Sequence, residues 1–254
     1  MGTLHDGHAT LVRKSVAEND ITIVSIFVNP TQFGPNEDFT QYPRNLEEDS
    51  QLLKSLGVDY VFAPTKEAIY PEKDFFYIDI IGLADKLCGS SRPGHMNGVA
   101  QVVSILFNLV QPTHAYFGLK DYQQFLIIKQ LVKAFHFPLT VVPCEIIREE
   151  DGLAMSSRNL YLKPDERKQA LFLSEALREL YQNRTKVSSV SQMREWVQKK
   201  LDDYPLVKLD YFEVLDGENL EPIDNLAESS LPHAFIAAYL GKTRLIDNRS
   251  FSTI

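Results

Sequence analysis

The stretch ITIVSIFV at residues 21–28 runs straight into NPTQF at 29–33, and that junction decides how the chain is read. A near-continuous apolar run of strand length, closed by Asn-Pro, has the pattern of a β-strand buried on both faces. Working outward, NLEEDSQLLKSL at 45–56 has helical spacing and stops at Gly57, a residue suited to a left-handed C′ position. VDYVFA at 58–63 is the next strand, ended by Pro64. Residues 96–110 place Val99, Val102, Val103, Leu106 and Val110 on one helical face. A short strand at 115–117 runs into Gly118, Phe125, Ile128, Val132 and Phe135 mark a further helix, and LTVVP at 139–143 is another strand. Strand and helix in alternation, with short connections, predict an α/β domain over 1–148 built on a doubly wound parallel sheet.

Beyond about residue 150 the texture changes. Residues 164–182 read as one charged amphipathic helix with Pro164 in its first turn, and SSVSQ at 188–192 leads into a second helix around Trp196. KLDYFEVL, AFIAAYL and TRLIDN follow as strands, the last two joined through Gly241-Lys242 as a hairpin. A smaller α+β domain is therefore expected over 149–254.

Composition narrows the function classes. The 254 residues carry a formal charge of −8, which argues against a general nucleic-acid binder while leaving room for local phosphate pockets. The longest apolar runs are strand-length, too short to span a membrane, and no secretory leader pattern is present. Two cysteines, Cys88 and Cys144, lack metal spacing, which fits a reduced, cytoplasmic protein.

Four polar constellations interrupt this framework. LHDGH at 4–8 pairs His5 with His8 around Gly7 at the start of a helix, where free N–H groups and the macrodipole favour anions. Surface histidines are the plain alternative, and a zinc site lacks further ligands. NPTQF puts the amides of Asn29 and Gln32 beyond the carboxyl end of a strand, where ligands of open α/β sheets bind, although Asn-Pro is also an ordinary turn. GLKDYQQ at 118–124 offers Gly118 for backbone approach, Lys120 for phosphate and Asp121 for ribose hydroxyls, or else a solvated helix cap. AMSSRN at 154–159 sets two hydroxyls beside Arg158, whose guanidinium can grip phosphate in a fork, or else forms an interdomain linker. RPGH at 92–95 is a further basic loop. No arrangement for a covalent nucleophile stands out.

In order and spacing, MGTLHDGH, FVNPTQFGPNEDFTQYPR, SRPGH, FNLVQP, YFGLKDYQQ, DGLAMSSRN and RLIDN resemble the pantothenate synthetase (pantoate–β-alanine ligase) family over essentially the whole chain. That family lies within the His-x-Gly-His nucleotidyltransferases. The resemblance implies a Rossmann-like domain, followed by a C-terminal domain that acts as a lid. It implies ATP and magnesium as cofactors, pantoate and β-alanine as substrates, a pantoyl adenylate as intermediate, no nucleic-acid or membrane partner, and a homodimer.

Carried over by position, the resemblance puts Met1, Gly2, Thr3, Leu4, His5, Asp6, Gly7 and His8 along ATP, with His8 as proton donor and His5 on the phosphates. Gly118, Leu119, Lys120 and Asp121 would hold the nucleotide, and the backbone of Ile147 would meet adenine. Met155, Ser156, Ser157 and Arg158 would grip the triphosphate. Gln32 and Gln124 would hold pantoate, with Asn29 beside them, and Glu48 and Asp49 would supply magnesium ligands. The chain departs from the family pattern at Leu52, in place of a third metal-binding position, and at Leu119, where Glu or Gln is usual. On the residues alone, a simple nucleotidyltransferase and a non-catalytic nucleotide-binding protein remain open. Family members also carry a helix and a strand upstream of this methionine. The reading therefore expects a truncated form whose sheet lacks its usual first strand, so that either another segment fills the gap or the phosphate site is loosened and activity is weak.

Overall fold

The computed structural model describes residues 2–35, 37–72 and 76–252. The chain folds as two compact units, one of Met1–Leu119 with Gln123–Ile147, the other of Lys120–Tyr122 with Arg148–Ile254. The three residues Lys120–Tyr122 thus pack with the second unit although the first flanks them on both sides.

The first unit runs α1 (Asp6–Glu18), β1 (Ile23–Ser25), α2 (Leu46–Ser55), β2 (Tyr60–Phe62), α3 (Lys66–Ile69), α4 (Leu87–Ser91), α5 (His95–Val110), β3 (His114–Gly118), α6 (Tyr122–Ala134) and β4 (Thr140–Cys144). Its strands are parallel, with Val24 opposite Val61 in one ladder and Tyr116 opposite Val142 in the other. With helices packed on them, they make an α/β, Rossmann-like unit. The expected stop at Gly57 holds, with φ +82° just beyond α2, and at the other end Asn45 caps the helix by accepting the Glu48 N–H.

Two expectations need correction. The strands form two separate two-stranded ladders, β1–β2 and β3–β4, among the described residues, rather than one sheet. The 21–28 run is also not buried on both faces. Only 23–25 is strand, and Val24 is buried while Ile21 and Ile23 are 62% and 41% exposed. Val12 of α1 and Leu53 of α2 cover the Val24 face, with Leu4, Val16 and Ile26 packed against them, and the other face is covered only at the end of the run, where Phe27 packs on Ile69, Tyr70 and Val102. A second core joins Val99 and Phe107 of α5 to Ile128 and Leu131 of α6 beside β3 and β4. The end of α1 ties to β3, where Asn19 Nδ2 donates to the Tyr116 hydroxyl at 2.7 Å and that hydroxyl donates to Glu18 at 2.9 Å.

The second unit is α+β, with α7 (Pro164–Ala170), α8 (Phe172–Gln182), α9 (Val190–Leu201), β5 (Val207–Asp216), β6 (Pro232–Leu240) and β7 (Thr243–Ser250). The single helix expected over 164–182 is two, separated at Leu171, which keeps right-handed helical angles, so the break tightens the path without reversing it. The strands form an antiparallel sheet in the order β5-β6-β7, with Gly241 at φ +58° in the hairpin between the last two. Phe172, Leu173 and Leu177 of α8 and Met193 of α9 pack on Ala234 and Ile236 of β6, all with essentially no exposure. The central strand β6 is buried along nearly its whole length.

Candidate active site

The histidine turn lies at the N-terminus of α1, with His5 as the N-cap and His8 in the first turn. Their rings lie 4.0 Å apart, and the His5 backbone N–H donates to His8 Nδ1 at 3.3 Å. An Nδ1 that accepts carries no proton, so the neutral His8 ring bears its proton on Nε2. Ahead of the helix, the Asp49 carboxylate of α2 accepts the Thr3 N–H at 2.9 Å and the Leu4 N–H at 2.6 Å, and is itself buried. Thr3 is thereby held at φ +51°, a left-handed conformation that a β-branched residue seldom adopts. Gly2 packs closely on Val28, where a Cβ would fall 3.2 Å from Cγ2. Asp6 opens the helix on the exposed side, and Gly7 follows it. Met1 lies outside the described residues.

NPTQF forms a tight 3-10 turn after β1. Asn29 is buried and spends its amide on its neighbours. Its Nδ2 donates to the Gly98 carbonyl at 3.0 Å and to Gln32 Oε1 at 3.3 Å, and its Oδ1 accepts from Thr31 and from the Tyr70 hydroxyl at 2.8 Å. Asn29 therefore orients Gln32 rather than presenting a group of its own. Burial raises the Tyr70 pKa, so the hydroxyl stays a donor. The RPGH loop is built around the same turn. His95 Nδ1 donates to the Gln32 carbonyl at 2.7 Å, while Arg92 donates to His95 Nε2 at 2.9 Å. Arg92 also forks onto Glu37 at 2.7 and 2.5 Å. Burial alone would raise the Glu37 pKa, but the bonds and charge of Arg92 prevail and hold it below the ordinary carboxylate range.

At GLKDYQQ the two glutamines part ways. Gln123 is buried, and its Nε2 donates to the carbonyls of Leu83 and Lys86, both at 2.7 Å, anchoring that loop. Gln124 stays half-buried in the first turn of α6. A Cβ at Gly118 would meet no described protein atom within 4 Å, so packing does not consume the smallness of this glycine. Leu119 begins a 3-10 turn that carries Lys120 and Asp121, whose side chains lie 3.8 Å apart. Ile147 is half-buried after β4.

AMSSRN, in the second unit, is no loose linker. Arg148 and Ala154 form an antiparallel bridge, and Arg167 pairs with Glu149 at 2.7 Å and Asp151 at 2.6 Å. Asn159 is buried and donates to Glu149 and to the Ala154 carbonyl. Ser156 caps the 3-10 turn Ser157–Tyr161 by accepting the Arg158 N–H at 3.3 Å, and Met155 and Arg158 are half-buried on either side of buried Ser157.

Comparison with known proteins decides the family. The family model described as pantoate-beta-alanine ligase matches residues 1–250. A pantothenate synthetase from Pseudothermotoga lettingae is 51% identical over 98% of this chain and 88% of its own length. The chain belongs to the pantoate–β-alanine ligase family. Among solved structures, pantothenate synthetase from Thermus thermophilus matches with a TM-score of 0.95 at 42% identity, covering 100% of this chain and 91% of that one. The ligase from Francisella tularensis, solved with β-γ ATP and β-alanine, matches with a TM-score of 0.81 at 38% identity, over 100% and 88% of the two chains. The chain is thus an enzyme of the ligase class. No helix among the described residues is long and apolar enough to cross a membrane.

The residues named for magnesium lie in and beside the first turn of α2. Asp49 is committed to two backbone N–H groups, Glu48 is exposed, position 52 is Leu, and no group of three metal-ligating side chains occurs among the described residues. Sequence reasoning missed Gly98 and Tyr70, which shape the ligase's NPTQF turn from distant positions, and Glu37, which holds the Arg92 that bonds the Gln32 carbonyl. A glycine inside an apolar helical face was the one signal available for Gly98.

Proposed function

We propose that the chain joins pantoate to β-alanine at the expense of ATP through a pantoyl adenylate. A carboxylate is a poor electrophile and needs activation. A pantoate carboxylate oxygen forms a bond to the α-phosphorus as the bond to pyrophosphate breaks. The amine of β-alanine then attacks the acyl carbon, loses a proton, and expels AMP. The first step asks the protein for positioning and charge stabilisation rather than covalent chemistry.

The observation that carries this reading is the His5–His8 turn. It combines a helix N-terminus with an imidazole whose Nδ1 is engaged by backbone, leaving Nε2–H as donor. His5 and His8, with Lys120, Ser156, Ser157 and Arg158, are assigned to the phosphates, and Asp121 to the ribose. Gly118, Leu119, Ile147 and Met155 are assigned to the remainder of the nucleotide. Gln32, fixed by Asn29, and Gln124 are assigned to pantoate, since amides suit both hydroxyl and carboxylate groups. No step is routed through magnesium.

The test is AMP formation by the purified chain. Production that requires both pantoate and β-alanine is expected. AMP or pyrophosphate released equally well without β-alanine would leave a simple nucleotidyltransferase.

A further inference from the structure

The RLIDN segment at 244–248 has no assigned part in this chemistry, yet three of its polar side chains are engaged within the second unit. Arg244 forks onto Asp210 at 3.0 and 2.8 Å. Asp247, buried, takes Arg148 at 2.6 and 3.0 Å and the Asn248 N–H at 2.8 Å. That leaves the Asn248 side chain, also buried, whose Nδ2 donates to the Lys120 carbonyl at 2.9 Å and whose Oδ1 lies 2.8 Å from His233 Nε2.

These partners fix the orientation of the Asn248 amide and the tautomer of His233. A backbone carbonyl only accepts, so the amide nitrogen must face Lys120, and its oxygen then faces His233. His233 must therefore donate from Nε2. Its Nδ1 is buried with no hydrogen-bond partner among the described residues. Burial lowers its pKa to about 4, so the ring is neutral at physiological pH. On the sheet, Phe235 pairs with Asn248 and His233 with Ser250, which puts His233 diagonally next to Asn248 on one face. The ring of Tyr122 lies on that of His233 at 4.1 Å, and its hydroxyl donates to the Gly217 carbonyl at 3.0 Å. The segment Lys120–Tyr122 is thus clamped at both ends, by an amide on its first carbonyl and a tilted ring contact on its last side chain.

We propose that Asn248, oriented by His233, is a positioning residue that sets the Lys120–Asp121 turn for nucleotide binding. This rests on the reading above in which those two residues meet ATP. Asn248 touches no substrate in this scheme. It selects the backbone conformation from which the Lys120 ammonium and the Asp121 carboxylate project, and preorganisation of this kind governs affinity more than global stability.

Three variants separate positioning from plain packing. Asn248→Asp keeps shape and the acceptor for His233 but turns an oxygen toward the Lys120 carbonyl. His233→Leu removes the donor behind Asn248, and His233→Gln restores a donor at similar reach. The readouts are ATP Kd by calorimetry, steady-state KM for each substrate, and melting temperature. Asn248→Asp is expected to weaken ATP binding about tenfold, with pantoate KM within twofold of wild type. His233→Leu should weaken it about fivefold, add nothing in the Asn248→Asp background, and be rescued by His233→Gln. Should Asn248→Asp not fold, the two His233 variants decide alone. ATP Kd within twofold of wild type in the folded variants, whatever happens to melting temperature or kcat, overturns the proposal. A wild-type chain that binds ATP but makes no pantothenate overturns the reaction assigned above and leaves this comparison intact. One that binds no ATP overturns both.

Discussion

Gly98 on α5 sits so close to the Thr31 carbonyl that a Cβ there would fall 2.3 Å from its oxygen and 2.8 Å from the Gln32 nitrogen. Both clashing groups are backbone of the NPTQF turn, so neither can swing aside. Gly98→Ala is expected to push that turn off α5, at a cost of about 1–3 kcal/mol in urea unfolding, the usual scale of overpacking. The KM for pantoate should rise with it, because the Asn29 bond to the Gly98 carbonyl that orients Gln32 stretches at the same time. An alanine variant with unchanged midpoint and unchanged KM would refute the close approach.

Asp49 offers a sharper test of what a carboxylate is for. If its work is to hold the Thr3 and Leu4 N–H groups, Asp49→Asn keeps one acceptor oxygen and loses the other, and Asp49→Ala loses both. Stability should fall stepwise, by about 1–3 kcal/mol for each N–H left unpaired. Turnover should fall in the same order, since the segment leads directly into the histidine turn. Recovery of the Asp49→Asn variant at high magnesium concentration would show instead that metal binding is its main role.

How much of this was written in the sequence depends on the range of the interaction. Helix boundaries at Asn45 and Gly57 and the β6–β7 hairpin at Gly241 were legible because caps and turns are decided within a few residues. The clusters at HDGH, NPTQF, GLKD and AMSSRN were legible as polar interruptions of an apolar pattern. The burial of 21–28 was misjudged because an apolar run states what a strand can bury, and pairing decides what it does bury. Nor could spacing distinguish Gln123, which anchors the loop at Leu83, from its neighbour Gln124, or assign Asn29 to holding Gln32. Those distinctions come from carbonyls and amides tens of residues away.

His233 makes the second unit sensitive to acid. Burial lowers its pKa to about 4, against an ordinary value of 6.5, and it faces an amide and the rings of Tyr122 and Phe235. Between those two values the unfolded chain binds the proton and the folded one does not, so stability rises with pH there. The contribution, about 3 kcal/mol from a shift of this size, is complete above about pH 6.5 and is lost as pH falls toward 4. Trp196, the single tryptophan, lies in this unit and reports its unfolding by fluorescence. Wild type should lose about 2 kcal/mol between pH 7 and pH 5 through this group. His233→Gln, which cannot titrate, should show a correspondingly shallower slope, and parallel pH profiles would contradict the assignment.

The last prediction concerns His8. Its Nδ1 is engaged by the His5 N–H, so the imidazole can present only Nε2–H as a donor, at a helix end already favourable to negative charge. A preorganised donor of this kind acts on charge that develops as pyrophosphate leaves, and its loss typically costs a hundredfold or more in rate. His8→Ala is therefore expected to slow single-turnover pyrophosphate release at least about a hundredfold. The KM for ATP should move far less, because the helix N–H groups and the other residues proposed for the phosphates remain. His5→Ala should behave differently: it removes the side chain of the N-cap but keeps the backbone N–H that fixes His8, so the loss is smaller. Melting curves and circular dichroism establish that both variants are folded before rates are compared. If folded His8→Ala releases pyrophosphate at near wild-type rate, or if His5→Ala is the slower of the two, then the proton donor has been placed on the wrong ring.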